Sequence, residues 1–456
     1  MNTTFYLELL FSEVCLARVR QAEQVRPREM LRLCAVAALL LTTRARAWQP
    51  NVNVNSRAAP VPWTPQEAAR RTLAASASTA SLAAAAAAAA ALQAAPARAQ
   101  VPPAARDAHP HDDNDDLGAD LGLGKDAYGD LDGMRCCKLL NGMWQVSGAH
   151  GYTPDRARVV ADMSKCVDSG YSTFDLADIY GPAEDYVGSF RKSSPELASN
   201  SRFFTKWVPR PQQITRAFTS AAVETSLRKM GTNRLDLLQF HWWDYSNEYY
   251  FDAVNYLMDL QQKEQIRSIG LCNFDTEHMV KLLDQDAPIV SNQVSFSLID
   301  DRPLRIMVPE CQKRDVQLVV YGTLLGGFLS DKWLGKSEPS ADGLTNVSLR
   351  KYLPWIGYWG GWGLFQELLR VLDVVAKKYK VSVANVALRW VIDQPTVAGA
   401  IVGVRFGLQE HVADNRQVFS FRLDQDDLAA INAVRGKGRS LSQVFGDCGG
   451  EYHARR

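Results

Sequence analysis

From about residue 134 onward, short apolar runs of strand length alternate with longer stretches whose apolar residues recur at helical spacing. The runs fall at 139–146, 172–175, 203–206, 235–241, 266–271, 289–293, 317–321 and 399–403. Amphipathic segments lie between them at 156–169, 212–230, 251–262, 276–284, 304–314 and 365–379. A terminal helix is predicted at 424–434, with Asp424 as its amino-terminal cap. Strand and helix in regular alternation predict βα units and a parallel sheet. Eight such strands in roughly 300 residues predict an α/β fold, one (β/α)8 barrel of the TIM type.

Polar residues are not scattered through this pattern. Asp175, Lys206, His241, Asn273, Gln293, Tyr321 and Arg405 each stand at or just beyond the carboxyl end of a different predicted strand. In a (β/α)8 barrel those ends converge on one face, where sites are built. One polar strand end is unremarkable, but a set of them predicts a site.

The first part of the chain reads differently. Residues 30–47 have a basic start, a short apolar run and the small-x-small ending Ala45-Arg46-Ala47, which is the pattern of a signal peptide. With Trp48 after the cut, this leader resembles the signal-plus-transit leaders of algae with complex plastids. Arg70-Arg71, the alanine run at 83–91 and Ala97-Arg98-Ala99 form a second address of twin-arginine type. The first reading is thylakoid lumen. The alternative is a plain stromal transit peptide, because Glu67 is the sole acidic residue at 48–99. The expected layout is a targeting leader at 1–99, a disordered acidic linker at 100–133, the barrel at 134–440 and a tail at 441–456. The acidic run at 111–116 is read as solvated linker and not as a cation site.

Composition narrows function mainly by exclusion. A net charge of +1 gives no field that would attract nucleic acid. The 8 cysteines include no C-x-x-C and no Cys/His cluster at metal-ligand spacing, so they are read as free thiols, the Cys136-Cys137 pair included. No membrane anchor is predicted for the mature chain, and no metal.

The strand ends carry a more specific signal. Phe174-Asp175-Leu176-Ala177-Asp178-Ile179-Tyr180-Gly181 resembles the D-x-A-x-x-Y signature of the aldo-keto reductases. Phe204-Thr205-Lys206 is similar to that family's lysine segment, and Leu237-Leu238-Gln239-Phe240-His241 to its histidine strand. The resemblance runs over 138–434 and implies NADP-dependent reduction of a small carbonyl substrate by a monomer or homodimer. It assigns Asp175, Tyr180, Lys206 and His241 as the catalytic tetrad. A free tyrosine, with a pKa near ~10, is a poor acid at neutral pH, and a lysine cation beside it would lower that value. Asp175 would hold Lys206 charged, and His241 would orient the substrate oxygen.

No G-x-G-x-x-G follows a strand, so a Rossmann site is not supported. The resemblance implies instead an extended cofactor, with its carboxamide on Asn273 and Gln293 and its nicotinamide ring on Tyr321. The pyrophosphate would pass the segment that begins at Gly322. Arg405 would take the 2′-phosphate and Asn415 the adenine. Cys272 replaces the family's serine in the S-N-F element, and His411 stands where many relatives have arginine. Trp144 looks like the family's substrate-pocket tryptophan, and Trp242 adds aromatic surface beside His241. The aromatic residues within 329–364 could form a lid or could pack the loop down. Two other readings stay open: a non-catalytic NADP(H) redox sensor, and an NAD(P)-dependent sugar or alcohol dehydrogenase.

Overall fold

The computed structural model describes residues 123–148, 151–152, 154–210, 212–344, 346–408 and 411–452. The leader expected at 1–99 and the first part of the linker lie outside the described residues. A hairpin comes first: β1 (Tyr128–Leu131) pairs antiparallel with β2 (Met134–Cys137). Residues 123–133, expected as linker, are therefore folded. Their charged turn concealed a strand of only four residues. Asp132 lies in that turn at positive φ, and its carboxylate accepts a hydrogen bond of 2.7 Å from the Ser268 hydroxyl of the barrel.

Eight parallel strands then close into a barrel. They are β3 (Leu139–Gly142), β4 (Thr173–Asp175), β5 (Arg202–Trp207), β6 (Leu235–His241), β7 (Ile266–Cys272), β8 (Ile289–Ser295), β9 (Gln317–Tyr321) and β10 (Val397–Gly403). Each pairs with its neighbour in sequence, and β10 closes on β3. The predicted run at 139–146 divides into β3 and a 3₁₀ turn, Met143–Val146, which carries Trp144 over the barrel mouth. Helices at Arg156–Asp168, Arg216–Met230, Tyr249–Gln262, Thr276–Leu283 and Met307–Arg314 fall where helices were predicted. Asp155, Thr215 and Asp275 cap the first, second and fourth of these by accepting backbone N–H bonds.

Alternation along the strands divides the core in two. In β5, Phe204 faces the barrel interior, whereas Phe203 stacks outward on Phe174, with ring centroids 5.4 Å apart. In β6, Leu237 faces in, while Leu238, Phe240 and Trp242 join the layer under the helices. The interior cluster combines Leu140, Phe204, Leu237 and Val319 with Leu131 and Met134 of the hairpin. The hairpin thus plugs the amino-terminal end of the barrel.

The segment at 329–364 is largely helical, with Val347–Trp359 continuing through a break at Gly360 into Gly361–Tyr379. Most of its aromatic residues pack down, Tyr358 remaining exposed: Tyr352, Trp355 and Trp359 are buried, and Trp333 packs against Phe328 and Trp362. A further helix, Val383–Ile392, precedes β10. The last barrel helix, Gln425–Arg435, has the capping box formed by Asp424 and Asp427.

Leu131 is 1% exposed, so Leu131→Ala would leave a void between plug and barrel. A loss of about 2–5 kcal/mol is expected. It would be read as a lower urea midpoint at unchanged slope. An unchanged midpoint would show that the hairpin folds separately from the barrel.

Candidate active site

The same alternation that faces Phe204 and Leu237 inward brings Lys206, Gln239 and His241 to the inner surface higher up. Lys206 is in register with Gln239, and His241 with Cys272. Gly270, the neighbour of Gln239 on β7, keeps this layer open. A Cβ there would meet Ser291 Oγ at 2.6 Å and Gln239 Cγ at 3.4 Å.

Asp175 is the centre of the site. Both its oxygens accept from Lys206 Nζ at 2.7 Å, and Oδ1 accepts also from Gln293 Nε2 at 2.7 Å and Gln239 Nε2 at 3.2 Å. Lys206 further donates to the Leu176 carbonyl at 2.9 Å, and Gln293 to Gln239 Oε1 at 2.7 Å. The pair is almost fully buried, each side chain 4% exposed. Two charges at such depth are tolerable only because their hydrogen-bonding capacity is met on several sides.

Tyr180 lies above this pair. Lys206 Nζ sits 5.0 Å from its ring centroid, and Trp144 meets it edge-on at 5.1 Å. Burial, then the Asp175 carboxylate, pushes the Tyr180 phenol well above the usual tyrosine range. This reverses the expected direction. Lys206 is engaged by Asp175, so its charge does not dominate at the phenol. Cys272 is buried beside them, its thiol pushed up to about 12 chiefly by burial.

His241 Nδ1 lies 3.3 Å from Asn273 Nδ2. Asn273 Oδ1 accepts from the Tyr321 hydroxyl at 2.8 Å, and the amide nitrogen faces the histidine. An amide nitrogen only donates, so Nδ1 is the acceptor and the ring proton belongs on Nε2. Asn273 holds this position in a left-handed backbone conformation, φ 58°.

Asp175, Tyr180, Lys206, His241, Asn273, Gln293, Tyr321 and Trp144 therefore share the barrel mouth. Gln293 is directed to Asp175 and Gln239. Gly322 follows Tyr321 at φ 72°, where a Cβ would meet the Tyr352 hydroxyl at 2.5 Å. Arg405 and Asn415 line a separate cleft with Asp162, Lys165, Tyr171 and His411. Trp242 requires correction. It is wholly buried, donating to the Asp244 carbonyl at 2.8 Å, because it is one residue out of phase with His241. Trp243, two residues from His241, is the tryptophan beside it, with centroids 5.2 Å apart.

Several site residues were not predicted. Gln239 is visible in retrospect as the one amide in an apolar strand. Lys351, Glu451 and Tyr452 are not, because they reach Tyr321 from the helix at 347–359 and from the carboxyl-terminal segment. Tyr321 Oη lies 3.2 Å from Glu451 Oε1 and 3.3 Å from Tyr452 Oη. Of the expected tail at 441–456, residues 441–452 are folded, with a short helix at Ser442–Phe445.

A buried acid–lysine pair lies beneath a tyrosine, with a hydrogen-bonded histidine alongside, at the mouth of a (β/α)8 barrel. The aldo/keto reductase family model matches residues 138–435. The chain belongs to the aldo/keto reductase family, and it is an oxidoreductase. It is 27% identical over 325 residues to methylglyoxal reductase DkgA of Yersinia pestis, covering 69% of this chain and 95% of that protein. It is 26% identical over 294 residues to the chloroplastic pyridoxal reductase of Arabidopsis thaliana, covering 61% of this chain and 76% of that one. The solved glycerol dehydrogenase AKR11B4 of Gluconobacter oxydans shares the fold, at TM-score 0.57 and 22% identity, over 71% of this chain and 98% of that one.

Asp178, within the signature segment, gives a pH test. Burial raises its carboxyl from an ordinary 3.8 to about 6, against the Val208 N–H that lowers it, and Oδ1 is buried without a hydrogen bond. An acid whose pKa is higher folded than unfolded stabilises the fold fully below pH 3.8, and that contribution is lost as pH rises to about 6. Asp178→Asn is expected to flatten the stability profile across that window in urea titrations. A profile identical to wild type would mean that Asp178 is charged throughout.

Proposed function

We propose that this protein reduces an aldehyde or ketone to an alcohol with NADPH, Tyr180 acting as the general acid. The observation that carries the reading is the buried Lys206–Asp175 pair placed directly under Tyr180. NADPH, when bound, supplies the hydride. Tyr180 delivers the proton to the carbonyl oxygen. Lys206, held by Asp175, puts a fixed positive charge next to the phenol as negative charge develops on it. His241, with Nε2 carrying the proton, donates to the same carbonyl oxygen and orients it.

The residues fit such a cofactor. Tyr321 offers a ring at the mouth, followed by Gly322 at positive φ. Arg405 and Asn415 line one cleft with His411 and the paired Lys165 and Asp162, where the guanidinium is suited to a 2′-phosphate and the amide to an adenine. Solved relatives from Klebsiella pneumoniae, one in complex with NADP and acetate and another with NADPH, share the fold at 22% identity. The relatives' names include reductases of methylglyoxal and pyridoxal, which supports a small carbonyl substrate. The leader supports a plastid location, in the thylakoid lumen or the stroma.

NADPH oxidation should be followed with methylglyoxal, aryl aldehydes, ketones and aldoses. Tyr180→Phe is expected to lower kcat by about 10²–10⁴-fold with NADPH binding retained. Binding without turnover in the wild type as well would favour the sensor reading. Arg405→Ala should remove a charge-assisted contact of about 1.5–3 kcal/mol, weakening NADPH by roughly 10–100-fold while leaving NADH nearly unchanged. Equal effects on both cofactors would place Arg405 away from the 2′-phosphate.

A further inference from the structure

The carboxyl-terminal segment is tied across the mouth of the barrel by buried polar contacts. Asp447 accepts the Thr276 N–H at 2.7 Å. Glu451 pairs with Arg302 at 2.7 Å, and Asp300 grips the same guanidinium at 2.7 and 2.9 Å. Arg302 is 1% exposed and Glu451 5%, so this anchor is internal. Burial alone would raise the Glu451 carboxyl, but Arg302 outweighs it and holds the group below the usual range. Gly449 lies against Asn273 so closely that a Cβ would meet the Asn273 carbonyl oxygen at 2.0 Å.

The anchor sets the position of Tyr452, the next residue. Its ring stands edge-on to His241, with centroids 5.7 Å apart, and its hydroxyl reaches Tyr321 Oη at 3.3 Å and Lys351 Nζ at 2.9 Å. Tyr452 therefore spans from the catalytic histidine to the tyrosine on which the nicotinamide would stack. Lys351 is held between the rings of Tyr321, Tyr352, Trp355 and Tyr452, at 5.0–5.6 Å from their centroids. Asn273 is occupied at both ends of its amide, by His241 and by Tyr321. An aromatic ring, a cation over Tyr321 and a satisfied Asn273 together fill the roles that a bound nicotinamide and its carboxamide would take.

We propose that the carboxyl-terminal strap, residues 446–452, is an autoinhibitory self-ligand whose Tyr452 holds the nicotinamide subsite closed and must withdraw before NADPH can seat. This inference rests on the NADPH-dependent reading above. Tyr452 is 39% exposed, so its ring can swing out while the Glu451–Arg302 anchor stays in place. A closed state populated nine to one over the open state would weaken apparent cofactor affinity about tenfold and slow association in proportion.

The test is NADPH binding to the full-length chain, followed by fluorescence titration and stopped flow, for wild type, Tyr452→Ala, Tyr452→Phe and a chain ending at Phe445. Tyr452→Ala and the shortened chain are expected to bind about tenfold tighter, through a faster association rate. Tyr452→Phe, which loses only the contacts to Lys351 and Tyr321, should fall between them and wild type. If the shortened chain fails to fold, Tyr452→Ala decides the matter, since its side chain is partly in solvent. Equal or weaker binding by Tyr452→Ala, with wild type still binding NADPH, would overturn the strap as an inhibitor and leave the reductase intact. Failure of every form to bind NADPH would overturn the cofactor reading and this inference together.

Discussion

A carboxylate cannot be buried at the centre of a barrel unless its charge is met there, and Asp175 dictates much of the site around it. Lys206 supplies the countercharge, while Gln239 and Gln293 fill the remaining directions. Removing one member would leave a buried charge uncompensated, which costs far more than the intact pair contributes. The network therefore acts as a specification: four strands must stand in one register for these four side chains to meet. Once they do, Lys206 has no freedom to move, and Tyr180 rests above a fixed cation.

That constraint also explains the state of the phenol. A lysine free of other partners would draw Tyr180 toward ionisation. Here the lysine is committed to Asp175, and burial raises the phenol instead.

The mouth is built from two sources with different character. The strand ends are rigid, since each is hydrogen-bonded to neighbours on both sides in the closed sheet. The carboxyl-terminal strap and Lys351 are added from outside the barrel and meet the site at Tyr321. The ring of strand-end residues is thus carried by the sheet, while the strap and Lys351 meet it through a few discrete contacts.

Much of this was legible in the chain. Apolar runs alternating with helical stretches specify βα units, and the parallel sheet follows from local burial with period two. The strand-end residues Asp175, Lys206, His241, Asn273 and Tyr321 were recognisable because a barrel brings all such ends to one face. The same period of two could have separated Trp242 from Trp243, since it places only the latter on the side of His241. What the sequence could not show is whatever depends on contacts distant along the chain. The direction of the Tyr180 shift turns on which partner occupies Lys206, and the strand of four residues at Tyr128–Leu131 is defined by its pairing rather than by a local pattern. The strap at 446–452 has no periodicity, and Glu451 meets Arg302 across 149 positions of chain. Local pattern determined the barrel and the ring of polar ends; tertiary structure alone decided which charges pair, and that the end of the chain returns to its active face.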